Sequence, residues 1–121
     1  MDIEKYIKGV MSASPEKRYK TFLTTVADRE GVWVLSNENG LAMFGDETDS
    51  YLLVWPRQEF ASIFASEDEE TIEIEVHDFI DMCRQQINED KVMVFPTHTD
   101  AYVISGSSLA DDLEMYLDEV E

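Results

Sequence analysis

The chain has 121 residues, 44% hydrophobic and 11% aromatic. That is enough apolar material to close one core, and too much for a disordered tail. Nine Lys and Arg stand against 27 Asp and Glu, a formal net charge of −18, and a surface of that sign repels phosphate, which excludes direct binding of naked nucleic acid.

Residues 2–12 place Ile3, Tyr6, Ile7 and Val10 at helical spacing and predict a short amphipathic helix. Ser14-Pro15-Glu16 then reads as a helix start: Ser caps free amides, Pro suits the first position, and Glu suits the positive dipole end. Tyr19, Phe22, Leu23 and Val26 form its apolar stripe, and Gly31 is expected to end it in a left-handed conformation. Val32 to Leu35 is apolar on both faces, as a central strand is. Asn37 to Gly40 reads as a turn, Leu41 to Phe44 as the return strand, and Tyr51 to Trp55 as the third strand of a meander. Pro56 stops that strand and can open a helix with Phe60, Ile63 and Phe64 on one face. Ile72, Ile74 and Val76 alternate with Glu73 and Glu75, the pattern of a half-buried edge strand.

Asp78 can cap the next helix, with Phe79, Ile80, Cys83 and Ile87 as its stripe. Val92 to Phe95 and Ala101 to Ile104 read as strands joined through Pro96 to Asp100. Ser107 or Ser108 then caps a last helix that turns Leu109, Leu113, Tyr116, Leu117 and Val120 inward. The expected fold is one α+β domain over residues 14–121, with residues 1–13 as a leader helix. Its sheet is mostly antiparallel, with about five to six strands opening in a three-stranded meander, packed with about four to five helices.

The charge is unevenly spread. Residues 1–30 hold six cations and five acids, whereas residues 31–121 hold 22 acids against Arg57, Arg84 and Lys91, a balance of 3 − 22 = −19. Such a body steers a basic partner toward it; it also serves solubility, or a saline cytoplasm. The carboxylates singled out as a partner surface are Glu67, Asp68, Glu69, Glu70, Glu73, Glu75, Asp111 and Asp112.

The segments KRYKTFLTTVADREGVWVLSNENG, LLVWPRQEFA and VMVFP, followed by a Ser-opened acidic helix, resemble the bacterial domain-of-unknown-function family 2750. The resemblance covers residues 14–120. Its recognisable pieces are Gly31-Val32-Trp33 with the Asn39-Gly40 turn, and Trp55-Pro56-Arg57 with Glu59-Phe60-Ala61. Arg57 departs from the small polar residue expected there. The resemblance implies a small bacterial cytoplasmic protein and supplies no activity, cofactor or catalytic residue.

Other chemistry finds little support in the residues. Trp55, Pro56 and Arg57 can offer an aromatic wall and a cation to an anionic ligand at a helix start. They can equally finish a strand, begin a helix and pair with an acid. His77, His98 and Cys83 follow no zinc spacing, and neither Asn37 to Gly40 nor Asp46 to Asp49 follows the calcium-loop pattern. Cys83 is the only cysteine, so no internal disulfide is possible, and its place on an inward stripe makes it a poor nucleophile. The charged start, MDIEKYIKG, lacks a secretory apolar stretch, and no apolar run nears the roughly 20 residues of a membrane span. The reading is a cytoplasmic, non-enzymatic protein without cofactor, leaning to monomer, that offers an acidic surface to a basic protein in the manner of an inhibitor or immunity protein. The alternative is a small-ligand or regulatory domain with its pocket near Trp55.

Overall fold

The computed structural model describes residues 3–38, 40–45, 50–87, 91–97 and 100–120. Helix α1 (Ile3–Met11) sends Val10 and Met11 against the core. Helix α2 (Pro15–Arg29) starts as its sequence dictates: the Lys17 amide donates to the Ser14 hydroxyl at 3.3 Å, with Pro15 in the first position. Tyr19, Phe22, Leu23 and Val26 are its buried stripe. The left-handed residue that ends it is Glu30, at φ 61°, one position before the expected Gly31. The Glu30 amide donates to the Val26 carbonyl at 2.7 Å, and its own carbonyl accepts from the Val76 amide at 3.0 Å. Contacts at both ends therefore hold it where glycine was expected.

Among the described residues, seven strands form two sheets, where a single sheet was expected. One has the order β2-β1-β5, from β1 (Gly31–Asn37), β2 (Gly40–Leu41) and β5 (Glu70–Glu75). The other has the order β3-β4-β6-β7, from β3 (Met43–Gly45), β4 (Ser50–Val54), β6 (Lys91–Val94) and β7 (Tyr102–Ser105). The expected return strand breaks at Ala42, so Leu41 pairs with β1 and Met43 with β4. The meander's middle strand thus changes sheets. All pairs are antiparallel except β4 with β6. The parallel pair arises because helix α3 (Gln58–Phe64), β5 and helix α4 (Val76–Met82) carry the chain back between those two strands.

Three helix starts fall earlier or later than expected. Glu75, not Asp78, caps α4, because Val76 turns into the core instead of extending β5. Helix α3 begins at Gln58 with Arg57 in the cap position, so Pro56 precedes the helix without opening it. Helix α5 (Gly106–Val120) begins ahead of the expected serines, and Ser105 accepts from the Ser108 amide at 3.3 Å. Past α4 the chain widens into a π-helical turn, Cys83–Ile87, on which α5 is seated. A Cβ at Gly106 would stand 2.9 Å from the Cys83 carbonyl oxygen, so only glycine allows that approach.

Pairing register sets Val54, Val94 and Tyr102 side by side on one face of the four-stranded sheet. The Tyr102 ring stacks on Tyr19 of α2 with centroids 4.2 Å apart, which places α2 over that face. Helix α5 packs on α2 and β7. Beyond the ends of β4 and β6, Phe60 meets Phe95 and Phe64 stacks on Trp55, closing the core around α3.

Candidate interaction surface

The turn before β5 is built on Ser66. Its hydroxyl donates to Asp68 at 2.9 Å and to Glu69 at 2.7 Å, and its amide donates to Glu69 at 2.9 Å. Glu69 is thereby drawn half inside, while Glu67, Asp68 and Glu70 stay exposed. Ser36 of β1 is registered opposite Glu70, and a depression of about 290 Å³ opens there between Glu38, Asp68 and Glu70. Glu38 joins this cluster although nothing in its local sequence marks it, because the pairing that brings it there is non-local.

Farther along β5, the exposed Glu73 side chain lies across the Gly31 backbone. Glu75 serves as a cap, accepting from the His77 amide at 2.7 Å and the Asp78 amide at 3.0 Å. Its bond to the His77 ring, 2.6 Å from Nδ1, and those amides hold its carboxyl below the usual carboxylate range. The remaining two expected partner residues are occupied internally. Asp111 pairs with Arg84 at 2.9 Å, and Asp112 accepts the Tyr19 hydroxyl. Arg84 also bonds Glu114, holding that carboxyl below its ordinary value.

Of the residues expected to line a pocket, Trp55 and Pro56 lie in the core and Arg57 is half-buried. The Trp55 ring stacks on Phe64 and its Nε1–H donates to the Pro96 carbonyl at 3.2 Å. A strand that ends between two sheets turns its last aromatic inward, so no aromatic wall reaches a ligand. Arg57 pairs with Glu59 at 3.2 Å and borders an open depression with Thr24, Thr25, Asp28 and Arg29. The tryptophans join the sheets instead, each amide donating to the other's carbonyl at 2.9 Å between Trp33 and Trp55.

Arg18, fully buried, completes this junction. Its Nε–H donates to the Phe95 carbonyl at 3.1 Å, Nη1 to the Ala13 carbonyl at 2.5 Å, and Nη2 to Asp100. Phe95 is held at φ 53°, a left-handed conformation rare for a bulky residue. Thus Gly-Val-Trp, Trp-Pro and Val-Phe-Pro, remote in sequence, meet at one buried seam. The profile of the family described as "Protein of unknown function (DUF2750)" matches residues 19–113. The chain belongs to this family. No curated protein matches it.

In this DUF2750 member, Trp33, Trp55 and Pro96 meet at the seam between sheets, whereas Glu59, Phe60 and Ala61 belong to α3 and Asn39 lies outside the described residues. Cys83 is buried, and burial pushes its thiol up to about 12. His98 lies outside the described residues. Among the described residues, no group of three or more His, Cys, Asp or Glu is arranged to hold a metal ion, and no helix is long and apolar enough to cross a membrane.

Proposed function

We propose that this DUF2750 protein is a non-enzymatic interaction protein whose acidic surface receives a basic protein partner, in the manner of an inhibitor or immunity protein. One observation carries the reading. From residue 58 to residue 83 there are nine carboxylates (Glu59, Glu67, Asp68, Glu69, Glu70, Glu73, Glu75, Asp78, Asp81) and no Lys or Arg. The turn and edge strand at its centre hold Glu67, Asp68, Glu70 and Glu73 exposed. Carboxylates kept in water cost little to display and raise the encounter rate with a cationic surface. The surface of the proposal is narrower than sequence suggests: Glu75, Asp111 and Asp112 already serve the fold, and Glu38 joins it.

The test is retention of a partner by the immobilised protein from lysate at low ionic strength, followed by a salt step. A basic protein released by salt is expected, with retention reduced when Glu67, Asp68, Glu70 and Glu73 are changed to their amides. Retention of nothing, or retention indifferent to salt, overturns the reading.

A further inference from the structure

Helices α4 and α5 run side by side, and each turns an i, i+3, i+4 trio to the seam between them: His77, Ile80 and Asp81 on α4, Glu114, Leu117 and Asp118 on α5. Ile80 and Leu117, both buried, floor a groove of about 250 Å³, and polar side chains form its two walls. One turn along the same seam, the chain's own Arg84 lies across it from α4's π-helical end and bonds both Asp111 and Glu114 of α5. The molecule therefore already seats one guanidinium on this row of α5 carboxylates. The next stretch faces Asp81 of α4 across Ile80 and Leu117 to Asp118 of α5, and among the described residues no Lys or Arg lines it.

We infer that this groove seats an arginine side chain of the basic partner. An aliphatic stem of three methylenes has apolar floor to cover, and a planar fork has carboxylates on both walls. The inference rests on the acidic-surface reading and adds to it the place and kind of the anchoring residue.

The experiment is a titration of the ¹⁵N-labelled protein with acetylated tri-arginine amide at low ionic strength, beside a tri-peptide of equal charge built from 2-amino-3-guanidinopropionic acid, whose guanidinium stands on a single methylene. Amide shifts are expected to centre on 77–81 and 114–118. The short-stemmed peptide is expected to bind several-fold more weakly, because it leaves the floor uncovered. Asp81→Asn with Asp118→Asn should weaken tri-arginine about tenfold, whereas Glu67→Gln with Asp68→Asn should change it less than about twofold. All four positions are exposed, and unchanged melting temperatures confirm intact folds. Equal losses in the two double variants, or equal binding of both peptides, overturn the groove and leave the acidic-surface reading standing. No binding of either peptide overturns the groove and counts against that reading as well.

Discussion

Arg18 is 1% exposed, and each arm of its guanidinium is spent on a different segment: Ala13 between α1 and α2, Phe95 at the end of β6, and Asp100 in the turn beyond. Arg18→Met would keep most of the volume and strand the buried Phe95 carbonyl. Asp100, at 45% exposure, can turn to water. The cost is therefore set by lost bonds to carbonyls more than by a stranded charge, and is about 2–4 kcal/mol in urea denaturation. Arg18→Lys should recover only part of it, since an ammonium cannot reach three divergent acceptors. A loss below about 0.5 kcal/mol for Arg18→Met would show that the seam holds without its staple.

Tyr19 couples stability to alkaline pH. Burial first, then its hydrogen bond to Asp112, raise its pKa far above the ordinary 10.0. The folded chain keeps the proton after the unfolded chain has lost it, so its contribution to stability is whole below pH 10.0 and falls as pH rises beyond. In alkaline urea titrations the wild type should lose stability more steeply than Tyr19→Phe. Parallel curves would mean that Tyr19 plays no part.

At the scale of elements, Glu30 is the plainest instance of a site the fold chose over the sequence. It stands at φ 61° with glycine next to it, and its carboxylate adds negative charge at the negative end of α2. Glu30→Gly should therefore raise stability by about 0.5–1 kcal/mol, read as a higher thermal midpoint. A lower midpoint would show that the strain is smaller than the backbone freedom glycine adds to the unfolded chain.

The same displacement separates what sequence shows from what it hides. The stripes of α2 and α4, and Leu109, Leu113 and Leu117 of α5, are local patterns, and the structure has them; β5 keeps only part of its expected alternation, since Ile72 is exposed and Val76 leaves the strand for α4. Caps are ambiguous because several oxygens stand near each helix start: Glu75 and Asp78, or Ser105, Ser107 and Ser108, compete, and packing of Val76 and Gly106 decides. The break at Ala42 and the parallel pairing of β4 with β6 are non-local, so no window of sequence contains them. The candidate site divides likewise. Glu67 to Glu70 are legible as a charge run, although the turning of Glu69 half inside is not, and the burial of Trp55 and the α4–α5 groove depend on elements that meet only in three dimensions.

For the molecule as a whole, the fold sorts its charge. Strands β3, β4, β6 and β7 contain no Asp or Glu at all, while α5 alone carries Asp111, Asp112, Glu114, Asp118 and Glu119 with no Lys or Arg. With a net charge of −18, folding gathers carboxylates that the extended chain holds apart, and their repulsion opposes the compact state. The Debye length shrinks from tens of ångströms in dilute buffer to a few ångströms near about 1 M salt. Stability should rise as NaCl goes from about 20 mM to about 500 mM, by about 1 kcal/mol or a few degrees in Tm, and KCl should act alike because screening ignores the cation's identity. The same salt should release the basic partner, since attraction across the interface is screened as fully as repulsion within the chain. Tm and partner affinity, measured on one salt axis, are therefore expected to move in opposite directions. A Tm that falls with salt would mean that favourable ion pairs such as Arg84 with Asp111 and Glu114 outweigh the crowding of like charge, and that the acidic surface is internally compensated.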